Sequence, residues 1–172
     1  GDPEYLKKYG VKIVKTAPCF FHHEHPPEKL MEDTNDVVVG SNVMSYDDYL
    51  KACGWKWYMI SVHFLGWLRI LAINLKKKYN IIHRQFYNDL FNWFIENPST
   101  LLYKEYHETM GLLDNVFKNK IPWGREVEGA SDIYWEYEEA TGIHIAKEKK
   151  RFYNEIGDFL DNTYNSRYSL LI

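Results

Sequence analysis

The sequence is poor in cysteine, with Cys19 and Cys53 alone among 172 residues. Two cysteines cannot build the disulfide framework of a small secreted protein, so we expect a reduced, cytoplasmic setting. They also fall short of the four thiolates that usually hold an iron–sulfur cluster. The chain by itself is therefore predicted to contain neither a disulfide scaffold nor a cluster.

A run of basic residues is also lacking, and the net charge is −3. The richest basic cluster, residues 76–78, falls where a helix is expected to end, and lysines there complement the negative end of the helix dipole. Without a basic stripe, we expect no nucleic-acid partner.

The sequence shows no signal peptide, since its first residues are polar or charged. Gly1, in place of an initiator methionine, is typical of a cleaved tag, and we expect the chain to have been cut from a longer protein. Residues 57–75 are apolar enough to raise the question of a membrane span, but an arginine, Arg69, is costly inside a bilayer. We expect a buried helix and no membrane partner.

Aromatic residues are abundant, with 14 Tyr, 9 Phe and 6 Trp making up 17% of the chain. Each buries a large apolar area, so we expect either a thick core or an aromatic-lined groove. The 45% hydrophobic and 26% charged contents are otherwise ordinary for a globular domain of this length.

Residues 1–44 are predicted to form an N-terminal strap with a short helix, two short strands and a His-rich loop. Asp2 is a natural N-cap and Gly10 a natural helix end. Residues 11–16 alternate in polarity and residues 37–41 contain a β-branched run of three valines, so we expect the two segments to pair as strands.

Residues 45–172 are predicted to form a helical domain that makes one structural unit with the strap. The apolar spacing and the breaking residues place helices at 46–78, 82–96, 99–118, from about 131 to 141–142, and 143–163. The expected fold is mainly α: a single bundle-like domain of about five helices with a small two-stranded β element.

The first of these helices carries a stripe of aromatic residues. Trp57, Phe64 and Trp67 are predicted to face the core, while Trp55 and Tyr58 form a second, exposed face. An exposed aromatic face would suit docking of another domain, and in a crystal it would suit a dimer contact.

Residues 19–25 are the first candidate site, because they combine Cys19 with His22, His23 and His25. Thiolate and imidazole are good ligands for zinc or iron. Adjacent side chains on a short loop point apart, however, so we expect no metal site. The loop is either simply solvated or reaches the substrate side of a larger enzyme.

Two further patterns carry titratable groups. Residues 134–139 hold Glu136 and Glu139 one helical turn apart, which we interpret as a solvated acidic face, since no Glu-x-x-His motif accompanies them. His63 and Arg69 lie in the most apolar helix, where a histidine is usually a satisfied core residue and a buried arginine needs a partner. Both are candidates for contact with a ligand or another domain.

Two passages resemble one known family. Residues 2–11, DPEYLKKYGV, are similar to the "NPEYRKKYGI" passage that follows the catalytic barrel of cobalamin-binding radical SAM proteins. Residues 44–49, MSYDDY, followed by an aromatic run, resemble the region just beyond it. The resemblance extends over roughly residues 2–75 and identifies the chain with the C-terminal region of such proteins. The histidines at 22–25 depart from the family pattern.

The resemblance implies a parent enzyme, a methyltransferase or oxidoreductase, that uses a [4Fe–4S] cluster, S-adenosylmethionine and cobalamin. Because the CxxxCxxC motif of that family is missing here, none of these cofactors is expected in this chain. The chain would be a non-catalytic accessory domain that closes the barrel of the same polypeptide and shapes its substrate pocket. The alternatives are a free-standing aromatic-rich helical module that binds an apolar ligand or a partner protein, and a small metal hydrolase built on residues 19–25.

Overall fold

The computed structural model describes residues 2–18, 21–22, 34–119 and 123–165. These residues form seven α-helices and a two-stranded antiparallel sheet near the N-terminus. The predicted mainly α fold with a small β element is therefore confirmed.

The strap begins with helix α1, Pro3–Tyr9. The Asp2 carboxylate accepts a hydrogen bond from the Glu4 N–H at 3.0 Å, which caps the first turn. Gly10 ends the helix at φ 59°, and a Cβ there would lie 1.9 Å from Oδ1 of Asn42. The left-handed backbone favours glycine at this helix end, as the sequence predicted, and the Asn42 side chain packs against it.

Strands β1, Lys12–Thr16, and β2, Asn35–Gly40, pair antiparallel with Thr16 opposite Asn35. A lone pair of strands is marginally stable, so the sheet needs support from outside. Trp123 gives part of it, because its indole N–H donates a hydrogen bond to Oγ1 of the buried Thr16 at 3.1 Å. The predicted pairing of 11–16 with 37–41 is correct.

The helices after the strap are shorter than the sequence suggested. They are α2 Tyr46–Met59, α3 Arg69–Tyr79, α4 His83–Glu96, α5 Leu101–Asn119, α6 Tyr137–Lys147 and α7 Lys149–Leu160, with π-helical turns at Ile60–Phe64 and Asp161–Asn165. No single helix in the described ranges is long and apolar enough to cross a membrane. Helix α2 with its π-helical turn would be long and apolar enough only together with α3, and the chain bends between them.

The prediction of one continuous helix over residues 46–78 is wrong. After α2 the chain widens into the π-helical turn Ile60–Phe64, and Gly66 then adopts φ 94°. The Leu68 N–H donates a hydrogen bond to the Val62 carbonyl at 2.8 Å, and the Leu68 side chain is fully buried. The backbone is irregular at this bend, and burial of the Leu68 side chain stabilises it.

This bend changes which aromatic residues are buried. Trp57 is 2% exposed, as predicted, but Phe64 is 67% exposed and Trp67 is only partly buried. On α2, Tyr58 is fully buried, so its placement on an exposed second face is wrong, whereas Trp55 is exposed. The π-helical turn shifts every later residue around the helix axis, and helical periodicity cannot follow that shift.

Residues 141–142 do not end a helix, contrary to prediction. Helix α6 runs through them because the buried Thr141 donates its hydroxyl to the Glu105 carboxylate at 3.0 Å. A Cβ on Gly142 would lie 3.2 Å from Cδ1 of Leu65, so glycine here allows close packing. The break between α6 and α7 falls instead at Glu148, with φ −105° and ψ 30°.

The described residues fall into two compact units. Unit 1 takes them from Gly1–Tyr58 and Glu108–Ala140, and unit 2 takes them from Met59–His107 and Thr141–Ile172. Unit 1 buries side chains that include Trp57, Tyr58, Leu113, Val116 and Phe117, and unit 2 buries Phe86, Leu90, Phe94, Phe152 and Phe159. The predicted division into a strap of residues 1–44 and a helical part of 45–172 stays a prediction.

Candidate functional site

Unit 1 contains a cavity of about 240 Å³. Four aromatic side chains, Phe21, Trp57, Trp123 and Tyr137, contribute to its wall, together with Leu113. The aromatic-lined groove expected from the composition is therefore present within this unit. A cavity with apolar walls and a few polar groups is the usual form of a ligand site.

Helix α2 supplies one wall, with Cys53, Lys56 and Trp57 at the i, i+3, i+4 spacing that places side chains on one face. Two further polar groups of the cavity are Glu136, directly before α6, and Glu138 in the first turn of α6. The cavity is thus built where the end of α2 meets the start of α6.

Residues 21–22 are held beside the cavity by contacts with the chain around residues 124 and 134. The His22 N–H donates a hydrogen bond to the Tyr134 carbonyl at 2.7 Å. Gly124 has φ 111°, and a Cβ there would lie 2.9 Å from Cδ1 of Tyr134 and 3.3 Å from Cε1 of Phe21. Glycine at 124 therefore lets Phe21 reach the cavity.

Glu138 is the most buried charged group of the cavity, with 9% of its side chain exposed. The Lys56 ammonium lies 3.7 Å away on a side chain that is 70% exposed, which is too far for a hydrogen bond. The solvated acidic face predicted for 134–139 rests on Glu136 and Glu139; Glu138, which lies between them in sequence, is buried. Position in the first turn of α6 favours this carboxylate through the helix dipole.

Cys53 contributes a neutral group to the same cavity. Burial raises the pKa of its thiol, although a hydrogen bond with Tyr49 and the charge of Lys56 oppose that effect. The thiol is therefore protonated at neutral pH, and the charged groups lining the cavity are Lys56, Glu136 and Glu138.

His22 lies in the same unit and pairs with Glu139 at 2.6 Å, between His22 Nε2 and Glu139 Oε2. Its ring also contacts the Trp135 ring edge to face, with centroids 5.9 Å apart. The hydrogen bond to Glu139 and then its charge raise the pKa of His22; desolvation opposes them, and the charge of Glu136 makes the smallest contribution. His22 is therefore held by a specific partner that the sequence did not reveal.

The Glu139→Gln variant should lower the pKa of His22 toward its ordinary value of 6.5, because it removes the charge that stabilises the imidazolium. A raised pKa in the folded state means that the pair stabilises the fold below pH 6.5 and that this contribution fades as the pH rises through the folded-state value. A ¹H–¹⁵N NMR titration of His22 checks both points, with Glu136→Gln as a control that should shift the pKa less. An unchanged His22 titration in Glu139→Gln would contradict the pairing.

His63 and Arg69, the other candidates of the sequence, lie in unit 2. Burial, and then the charges of His83 and Arg69, lower the pKa of His63, and a hydrogen bond of 2.8 Å joins its Nδ1 to the Tyr87 hydroxyl. Burial raises the pKa of Tyr87 to about 12, which keeps that hydroxyl protonated. Arg69 is exposed at the start of α3. His22 therefore lies in one unit, and His63 and Arg69 in the other.

Unit 2 also holds a polar network that the sequence did not predict. Glu105, 4% exposed, accepts hydrogen bonds from the Thr141 hydroxyl at 3.0 Å and pairs with Nδ1 of His144 at 2.6 Å. Glu105 stands on α5, and the other two residues stand one turn apart on α6. The sequence shows the i, i+3 spacing of Thr141 and His144, but it does not show that both have a partner on another helix.

Cys19, His23 and His25 lie outside the described residues, so the prediction for the 19–25 loop stays a prediction. Within the described ranges, no three His, Cys, Asp or Glu side chains are grouped closely enough to hold a metal ion. Cys53 is the single cysteine in the described ranges, whereas an iron–sulfur cluster is usually held by four cysteine thiolates. The residues that the structure places do not fit a [4Fe–4S] centre.

No family model matches the sequence. The chain is 25% identical over 174 residues to the 2-(S-pantetheinyl)-carbapenam-3-carboxylate methyltransferase of Streptantibioticus cattleyicolor. It is 24% identical over 172 residues to the cobalamin-dependent radical SAM methyltransferase TokK of Streptomyces tokunonensis. Each match covers 92% of this chain and 25% of the relative. The chain therefore spans about a quarter of the length of these curated relatives.

Proposed function

We propose that this chain is the C-terminal accessory domain of a cobalamin-dependent radical SAM enzyme of the methyltransferase type. Its role would be to close one end of the catalytic barrel and to shape the substrate pocket. The observation that carries the proposal is the coverage of the two matches, nearly all of this chain against a quarter of each methyltransferase. The [4Fe–4S] cluster, S-adenosylmethionine and cobalamin would then be bound by the rest of the polypeptide.

Exposed apolar side chains in each unit support a docking role. In unit 1, Ile13 and Val38 lie opposite each other in the sheet with 39% and 47% exposed, and Trp55 on α2 is 36% exposed. In unit 2, Phe64 is 67% exposed and Ile70 is 63% exposed. Single exposed apolar residues are ordinary, but several near one bend or on one sheet face suit contact with another domain.

The second candidate is a free-standing aromatic-rich module that binds an apolar ligand or a partner protein. The aromatic cavity of unit 1 favours it, because such a cavity can bind a ligand without help from another domain. The hydrolase alternative depends on residues 19–25, and the described part of the chain adds nothing to it.

Hydrogen–deuterium exchange distinguishes the two candidates. The amides of residues 62–70 and of β1 should exchange more slowly in the complete polypeptide than in the 172-residue chain, since the barrel would cover them. The amides of α4 form an internal control, because its buried face already packs within unit 2. Identical exchange in both proteins would contradict docking and favour the free-standing module.

A further inference from the structure

We propose that the cavity of unit 1 binds a small organic cation, a protonated amine on an apolar or aromatic body. The cavity lies wholly within unit 1, so the inference does not depend on docking against a barrel. The volume of about 240 Å³ is just below that of drug-sized sites, roughly 300–1,000 Å³, which fits a small amine.

The first argument is the state of Glu138. Only 9% of the Glu138 side chain is exposed, and this side chain lines the cavity. Its one ion pair with a described residue is the 3.7 Å contact to Lys56, which is not a hydrogen bond. A carboxylate removed from water needs hydrogen-bond donors, and an ammonium group in the cavity would supply them.

The second argument is the wall that surrounds this carboxylate. Four aromatic residues, Phe21, Trp57, Trp123 and Tyr137, line the same cavity. Aromatic faces attract cations, most strongly when the cation is withdrawn from water, and several rings together are the usual cage for ammonium ligands. A buried carboxylate among aromatic rings is therefore complementary to a positive charge.

The third argument excludes an anionic ligand held by Lys56. The Lys56 side chain is 70% exposed and its ammonium is hydrated, so it can leave Glu138 without a large penalty. Glu136 and Glu138 together outnumber this single cation at the cavity, and the Cys53 thiol is neutral. An incoming ammonium group would replace the Lys56 contact, while an anion would face a net negative wall.

The test uses three probes with the same ring and different charge: benzylammonium, benzyl alcohol and benzoate. Titration calorimetry on the full 172-residue chain should show that benzylammonium binds most tightly. Glu138→Gln should weaken benzylammonium by at least about tenfold, the usual loss when a charged hydrogen bond is removed. Asp132→Asn, the same change of charge at an exposed site of unit 1, should leave the affinity unchanged.

The Lys56→Met variant shows whether the cavity prefers a positively or a negatively charged ligand. It should strengthen benzylammonium binding several-fold, because it removes the competing ammonium. The proposal is overturned if the three probes bind alike or not at all, if Glu138→Gln binds benzylammonium as the parent does, or if benzoate binds best and Lys56→Met abolishes it. Should Glu138→Gln fail to fold, the probe series and Lys56→Met still decide the matter.

Discussion

Replacing Phe159 with alanine should lower the free energy of unfolding by about 3–5 kcal/mol, the usual range for an emptied aromatic site. Phe159 is fully buried in unit 2, and its ring contacts those of Phe86, Trp93 and Tyr164 at centroid distances of 6.0, 5.7 and 5.7 Å. The space left behind cannot close without moving three aromatic neighbours, so the cost should fall in the upper part of the range for large-to-small changes.

Phe64→Ala is the matched control, since it removes the same side chain from an exposed position. Phe64 is 67% exposed, and its removal should change the free energy of unfolding by less than about 0.5 kcal/mol. Urea denaturation followed by far-ultraviolet circular dichroism measures both variants. Equal losses at the two sites would mean that the bend after α2 is wrongly placed and that Phe64 belongs to the core.

Replacing Glu105 with alanine should destabilise the chain by about 2–4 kcal/mol. The change removes a carboxylate that accepts a hydrogen bond from the buried Thr141 hydroxyl and pairs with His144. Lys104→Ala, an exposed position beside it on α5, should cost less than about 0.5 kcal/mol. Denaturant midpoints of the two variants test this, and a Glu105→Ala protein as stable as the Lys104→Ala protein would show that the network does not hold α5 to α6.

The sequence predicted best where the deciding forces are local. Asp2 and Gly10 bound α1 through a side-chain cap and a left-handed backbone, and both act within a few residues. The same holds for the pairing of 11–16 with 37–41, which follows from β-branched residues and alternation. Helix α4 also lies where its apolar spacing placed it.

Prediction failed where tertiary packing overrides local preference. Gly66 lies inside the helix predicted at 46–78, but its positive φ belongs to a bend that buries Leu68. Thr141 and Gly142 look like a helix end, yet a buried hydrogen bond and a close contact keep them in α6. Neither outcome is visible without the neighbouring helices.

The candidate site was predictable only in part. An aromatic-lined groove followed from composition, and His22 was singled out by its residue type. The burial of Glu138 and the pairing of His22 with Glu139 depend on the meeting of α2, α6 and the strap, which no spacing in one sequence encodes. The three glutamates at 136, 138 and 139 are typical of a solvated face, and the sequence does not show that a cavity forms beside them.

The cofactor content of the complete polypeptide tests the central claim most directly. Its reading frame should encode CxxxCxxC upstream of this region. After anaerobic reconstitution with iron, sulfide and cobalamin, that polypeptide should carry a [4Fe–4S] cluster and a corrinoid, measured by iron analysis and visible absorption. The 172-residue chain treated in the same way should carry neither. A stoichiometric cluster on this chain alone, or a complete polypeptide without cluster and corrinoid, would contradict its assignment as an accessory domain of a radical SAM enzyme.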